Sequence, residues 1–443
     1  MTAPDIRRLR VGLALTSALV LIGCGGWFGE EEVPLPGERI SVLAAETKLK
    51  PDPGSEQRTI QLPRPTPNPE WPQNGGYPDH IMHHIAIGQV PQEDWRVGIG
   101  KGSSRRQRLI SPPIVAAGRV FTMDANGQVS AFDAGNGSRL WRIDTRPEDD
   151  RDGLLGGGLA YDGKRVFVAT GLAELIALDT AAGEVAWRRS LAGPMRAPPT
   201  VLGGRVFAVT VDNQLFALSA EDGSTLWSHR GLAETASLLG AASPAAAGDL
   251  VVVAYSSGEL FAFRVENGRL LWSDSLAVGR RTGAVATMPG VRALPLIDRG
   301  RVYAISNGGL FVAIELRTGQ RLWEREIGGV ETPWLAGNYI FQLTTARELI
   351  CFSRQDGRIL WITTLPGFAD PVKLKDPISW TGPVLASDRL IVAGTHGWAL
   401  AVSPYSGRIQ GIQRLPDGVA ISPIISNETV FFLTDEGELV AYR

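Results

Sequence analysis

A glycine followed four residues later by a tryptophan recurs along the chain, at Gly137/Trp141, Gly183/Trp187, Gly223/Trp227, Gly268/Trp272, Gly319/Trp323 and Gly357/Trp361. A further copy keeps Gly407 but carries Gly411 where the tryptophan would stand. Six residues before each glycine is a small side chain, in the order Ala131, Ala177, Ala217, Ala262, Ala313, Cys351 and Ala401, and Ala441 continues the column in an eighth copy. Successive glycines lie 46, 40, 45, 51, 38 and 50 residues apart. That period matches one four-stranded propeller blade of about 40–45 residues.

The third copy shows how one unit folds. Alternating apolar residues predict an inner strand over Pro199–Leu202, two middle strands over Arg205–Thr210 and Gln214–Leu218, and an outer strand over Thr225–Ser228. Gly203-Gly204, Asp212-Asn213 and Glu221-Asp222-Gly223 between them supply the positive φ that tight hairpins need. The eighth copy lacks an outer strand, while Glu93–Gly100, with Trp95 lying 46 residues before Trp141, has the pattern of one. The expected fold is therefore all-β, an eight-bladed β-propeller over residues 71–443 closed by an N-terminal strand. On this reading Trp95, Trp141, Trp187, Trp227, Trp272, Trp323 and Trp361 are structural, and Cys351 is a packing residue.

Composition narrows the function classes. A formal charge of -2 argues against a nucleic-acid binder, which needs a basic footprint. The 52 glycines and 12 tryptophans suit short strands and turns better than long helices. Two cysteines, Cys24 and Cys351, are too few for a disulfide framework or an all-cysteine zinc site.

At the N-terminus Arg7, Arg8 and Arg10 precede an uncharged 13-residue run, Val11 to Gly23. It is shorter than the roughly 20 residues that span a bilayer, and reads as a signal peptide over residues 1–23. Its end, Leu21-Ile22-Gly23-Cys24, resembles the lipobox of bacterial lipoproteins. The resemblance implies acylation of Cys24 and cleavage before it, and Gly25 in place of an aspartate implies passage to the outer membrane. Residues 24–70 hold eight prolines after Cys24 and no sustained apolar period, so they are expected to be a poorly ordered tether.

The repeat of small residue, glycine and tryptophan resembles the pyrroloquinoline-quinone-type propeller repeat over residues 71–443. With the lipobox, the eight blades and the stretch Asn68-Pro69-Glu70-Trp71-Pro72-Gln73-Asn74-Gly75-Gly76, the chain is similar to the BamB-like outer-membrane assembly lipoproteins. That resemblance implies a non-enzymatic scaffold without a cofactor, anchored to the outer membrane by its lipid with the propeller in the periplasm. Its implied partner is the barrel-assembly outer-membrane protein, through that protein's periplasmic repeats, with further assembly lipoproteins as companions. Two alternatives stand beside it: another envelope protein-binding propeller, and a quinone- and calcium-dependent quinoprotein dehydrogenase. Enzymes of the latter kind resemble one another in an adjacent cysteine pair, a calcium site of carboxylate and amide oxygens, and an aspartate base. This chain has no adjacent cysteine pair.

Loops carry the rest of the functional signal. In an up-and-down blade every connection from an outer strand to the next inner strand emerges on one face, and there the long connections are Arg142 to Gly157, Ser228 to Ala242, Ser273 to Ala293 and Ile362 to Trp380. Arg105, Arg106, Arg108, Arg280, Arg281 and Arg292 make that face basic. The assembly family is thought to use a stretch like Leu-Ser-Leu-Arg-Gly before the fourth blade, where this chain has Ala236-Ser237-Leu238-Leu239-Gly240. The expected partner-binding residues are Leu238, Leu239, Arg280, Arg281 and Arg292. His80, His83 and His84 fall within five residues but have no spaced fourth ligand, so a packed turn is expected there and no metal.

Overall fold

Each repeat folds as an antiparallel sheet of four strands, and the small-residue column explains how. The computed structural model describes residues 49–55, 58–146, 156–234, 238–277 and 290–443; the signal segment, Cys24, Ser237, Arg280 and Arg281 lie outside them. In the first blade the strands are Ile114–Ala116, Arg119–Met123, Gln128–Asp133 and Arg139–Asp144. Ala131 stands opposite Phe121 of the second strand and Trp141 of the outer strand, and those two rings meet across it with centroids 5.9 Å apart. The pattern repeats as Phe167 and Trp187 across Ala177 at 5.8 Å, and as Phe207 and Trp227 across Ala217 at 5.9 Å. A larger side chain at the middle position would force the two rings apart. Cys351 fills the same place between Phe341 and Trp361, fully buried, with burial holding its thiol well above the ordinary range.

Eight such sheets occur among the described residues, together with a separate two-stranded hairpin. In the third blade the strands are Thr200–Leu202, Arg205–Val209, Gln214–Ser219 and Thr225–Arg230. The outer strand continues two residues past the expected Ser228, pairing His229 and Arg230 with Leu215 and Gln214. Inner and middle strands are buried, whereas the outer strand of that blade is largely exposed.

Neighbouring blades are locked by the glycine and tryptophan of the repeat. Each tryptophan leans on the glycine of the next blade: Trp141 on Gly183, Trp187 on Gly223, Trp227 on Gly268, and so on to Trp361 on Gly407. A Cβ at Gly223 would lie 2.8 Å from the Trp187 ring, and the backbone there has φ +69°, so only glycine fits. The indole N–H then donates to a carbonyl of that same next blade, as Trp187 Nε1 does to Ala220 O at 3.1 Å and Trp227 Nε1 to Val265 O at 3.0 Å.

The ring closes as the sequence predicts. Glu93–Gly98 pairs antiparallel with Glu438–Tyr442 as the outer strand of the eighth blade, with Trp95 opposite Ala441. Trp95 packs on Phe431 at 5.8 Å and leans on Gly137 of the first blade. This closure also explains Gly411. A tryptophan at 411 would need the glycine turn between the third and outer strands of the eighth blade, and those strands are the two ends of the propeller sequence, with no turn between them.

One expectation is corrected. Residues 24–70 are expected to be a loose tether, but the stretch from Asp52 onward is docked on the blades. Asp52 exchanges two hydrogen bonds with Ile359: its N–H donates to Ile359 O at 2.9 Å, and its carboxylate accepts from Ile359 N at 2.6 Å. Ile60 is buried and Asn68 donates to Ile425 O at 2.8 Å. Prolines without periodicity satisfy their carbonyls against another element as readily as against water, so their abundance did not settle the matter.

Candidate functional site

Residues 68–87 form a strap across the ends of the inner strands, and it touches all eight blades. Trp71 pairs with Val115, Pro72 O accepts from Tyr161 N, and the Gln73 amide both donates to and accepts from the Val201 backbone. Pro78 O accepts from Ala246 N and Asp79 O from Ile297 N. His83 O accepts from Trp334 Nε1 at 2.6 Å, Ile85 N donates to Leu385 O, and Asn68 O accepts from Asn427 N. The tight course of the strap demands glycines: Gly75 and Gly76 have φ +79° and +95°, and a Cβ on Gly75 would strike His80 and Leu294.

The histidine cluster belongs to this strap. His80 is buried, its Nδ1 bonded to Pro295 O at 2.7 Å, and desolvation pushes its pKa down to about 4. The neutral ring therefore carries its proton on Nδ1 and donates it to that carbonyl. His84 is also buried; its Nδ1 bonds Pro63 O at 2.7 Å and its Nε2 accepts from Asp388 N at 2.9 Å. The His80 and His84 side chains thus serve different contacts rather than one ligand set, and among the described residues no group of three His, Cys, Asp or Glu side chains is arranged to hold a metal ion.

Above the strap lies a cavity of about 560 Å³ on the propeller axis. Trp71 and Met82 of the strap line it with Trp334 and Trp380, while Arg196 and Arg292 come from the inter-blade connections. Trp71 and Trp334 stack at 6.2 Å. Glu331 is held on its wall: one carboxylate oxygen accepts from Arg292 at 3.3 Å, the other from Thr381 Oγ1 at 2.7 Å and Gly382 N at 3.3 Å. Asp435 lines it too, and burial raises its pKa.

The expected partner-binding residues divide at this rim. Leu239 is 41% exposed and lines the cavity with Gly240 and Arg292, and the Gly240 backbone runs against the Arg292 side chain. Leu238 is half-buried and lines a crevice with Val209, Val211, Ala254 and Val291, so it packs against neighbouring loops. Arg280 and Arg281 lie outside the described residues.

Two features of this face were missed from sequence. Leu232 is 65% exposed although its backbone is clamped at both ends, its N–H by the Glu259 carboxylate at 2.8 Å and its carbonyl by Asn213 Nδ2 at 2.6 Å. The only sequence signal was an apolar residue just after Gly231, where the chain presses on Tyr255. The connection Ile362 to Trp380 also contains a hairpin, Phe368–Asp370 with Lys375–Pro377, whose turn exposes Val372 and Leu374.

Comparison with known proteins gives these features a setting. The chain matches the family described as "Outer membrane protein assembly factor BamB" over residues 95–153 and 125–363, together more than half its length. It is 25% identical over 357 residues to the outer membrane protein assembly factor BamB of Moranella endobia, covering 79% of this chain and 90% of the relative. Among solved structures its fold is similar to BamB from Moraxella catarrhalis, with a TM-score of 0.66, 18% identity, and coverage of 80% of this chain and 100% of the other. It is similar also to quinohemoprotein alcohol dehydrogenase from Comamonas testosteroni, with a TM-score of 0.65, 12% identity, and coverage of 84% and 80%.

The last likeness is one of fold, and it raises the question of whether the axial cavity could hold a quinone with calcium. The donor set does not fit. Cys351 is buried inside the sixth blade between Phe341 and Trp361, so no thiol pair can cover a quinone ring. Both Glu331 oxygens are already committed to Arg292, Thr381 and Gly382, and calcium asks for six to eight oxygens.

Proposed function

The chain belongs to the family of the outer membrane protein assembly factor BamB, and from that premise we propose that it is a non-enzymatic scaffold lipoprotein of outer-membrane β-barrel assembly, binding the periplasmic repeats of the barrel-assembly protein through its long-loop face. Acylation of Cys24 anchors it to the outer membrane and leaves the propeller in the periplasm.

The observation that carries this reading is Leu232. A leucine 65% exposed on a backbone fixed by Glu259 and Asn213 is held out to solvent at no further ordering cost. Burying such a side chain against a partner is worth about 1.5–3 kcal/mol, and a preorganised loop keeps that gain because little entropy is lost on binding. Leu239 and Arg292 add an apolar and a cationic group at the cavity rim. The strap occupies the other ends of the inner strands, so the axial cavity and its rim are presented on the long-loop side.

Co-purification from detergent-solubilised envelope tests the reading. Leu232→Asp with Leu239→Asp is expected to abolish recovery of the barrel-assembly protein while circular dichroism and melting stay near wild type. Undiminished recovery would overturn the face assignment. Mass spectrometry of the mature N-terminus tests the anchor; an unmodified Cys24, or cleavage elsewhere, would refute it.

A further inference from the structure

A second pocket, of about 430 Å³, lies between the fifth and sixth blades on the face opposite the long loops, and four arginines line it: Arg58, Arg299, Arg301 and Arg354. Among the described residues no carboxylate lines it. We propose that this pocket binds a phosphate-class oxyanion of charge near -2, presented as a lipid headgroup phosphate or as a soluble phosphoester. The proposal is independent of the partner-binding reading, since it concerns the other face.

Arg354 forms the fixed floor. Its side chain is 6% exposed, its Nε donates to Tyr303 Oη at 2.8 Å, its Nη2 donates to Asp298 O at 3.0 Å, and its Nη1 lies 2.5 Å from the Asp298 carboxylate. Asp298 is thus used in neutralising this one guanidinium. The other three cations are left with little. Arg301 donates to Arg354 O at 3.3 Å and has no carboxylate partner among the described residues. The Arg299 Nε is 3.8 Å from the already paired Asp298 carboxylate. Arg58 acts only electrostatically on the Asp356 carboxylate, which also pairs with Arg358, and its position is set by the chain after it: Tyr339 Oη accepts from Gln61 N at 3.2 Å and donates to Thr59 O at 3.4 Å, and Ile60 is buried.

Three guanidinium groups share this pocket while the nearby carboxylates, Asp298 and Asp356, are also engaged by Arg354 and Arg358, so a bound dianion would offset the repulsion among them. Guanidinium forks match phosphate oxygens two at a time, which makes arginine rather than lysine the suitable residue here. Ser353, Asn338 and Gln355 add neutral polar groups around the same pocket. The site is assembled from the docked N-terminal segment and two adjacent blades.

Calorimetric titration of the purified full chain with Cys24→Ser, which removes the acyl chains, tests the proposal with inorganic pyrophosphate. Saturable binding is expected, weakened about tenfold or more by Arg58→Gln and by Arg301→Gln, the usual effect of losing a hydrogen bond to a charged group. Arg299→Gln serves as a second exposed variant should Arg301→Gln destabilise the blade. Arg408→Gln, on the same face but outside the pocket, is expected to change nothing. Pelleting with phosphatidic acid vesicles but not with phosphatidylcholine vesicles, competed by pyrophosphate, would identify a lipid headgroup; pyrophosphate binding without pelleting would identify a soluble phosphomonoester. Absence of saturable pyrophosphate binding, or equal weakening in Arg408→Gln, would overturn the site.

Discussion

Replacing Gly223 by alanine isolates the contact that locks one blade to the next. Two penalties are expected. The backbone at 223 has φ +69°, and the left-handed region costs an L-residue roughly 1–2 kcal/mol. The new Cβ would lie 2.8 Å from Cε3 and 2.9 Å from Cζ3 of Trp187, and overpacking of that kind costs about 1–3 kcal/mol. Gly248→Ala provides the reference, because Gly248 has φ +59° with no atom within 4 Å of the added Cβ, so it bears the first penalty alone. Urea denaturation should therefore show Gly223→Ala destabilised by roughly 2–5 kcal/mol, against about 1–2 for Gly248→Ala. The decisive step is a cycle with Trp187→Ala, itself expected to cost about 3–5 kcal/mol. Removing the ring removes the clash, so in that background Gly223→Ala should fall to the cost of Gly248→Ala. If the two alanine variants were equally stable, or if the cost at 223 persisted undiminished without Trp187, the interlock would not exist.

Two further outcomes are expected. Deleting residues 91–100 removes the outer strand of the eighth blade and bares the edge Glu438–Tyr442; lower stability and self-association should follow, and unchanged thermal unfolding with a monomeric sedimentation profile would contradict strand closure. His80, whose pKa is lowered to about 4 by burial, stays neutral in the fold while the unfolded chain takes up a proton below its ordinary value of about 6.5. Its contribution to stability is therefore present above pH 6.5 and is lost as pH falls toward 4, amounting to about 3 kcal/mol; His80→Asn should flatten the stability profile in that window relative to wild type, and an unaltered slope would refute the assignment.

The repeat made the ring legible because its chemistry is carried by side chains at fixed spacing. Phe207, Ala217 and Trp227 occupy one register row, and Gly223 must be glycine for Trp187 of the previous blade to sit there; each requirement recurs once per blade and leaves a column in the sequence. The strap left none. Its contacts to eight blades run mainly through backbone groups such as Pro72 O, Pro78 O and Asp79 O, which any residue type supplies, so no period marks it. The site residues divide for the same reason. Leu239 could be picked out as an apolar residue in a long loop, but Leu232 owes its exposure to Glu259 of the fourth blade and Asn213 of the third, a dependence invisible along the chain. The arginine pocket draws Arg58, Arg301 and Arg354 from three separate segments, and only the packing of two blades and the docked N-terminal stretch brings them together.

The strap also bears on where a partner can engage. In an open propeller both ends of the axial channel present inner-strand termini, and either rim could serve as a binding surface. Here Trp71 and Met82 of the strap form part of the cavity lining, and the strap's backbone and side chains together take up donors or acceptors on all eight blades. Those groups are no longer available to an incoming chain by strand addition or side-chain capture. The outer strands still have free edges, but they are short, and charges such as Arg188 and Arg189 on them discourage pairing. What remains presented by fixed backbone is the long-loop side, with Leu232 clamped in place and Leu239 and Arg292 at the cavity rim. The satisfied inner-strand groups are thus consistent with the proposed engagement of a partner on the long-loop side, where recognition would rest on side chains rather than on strand addition.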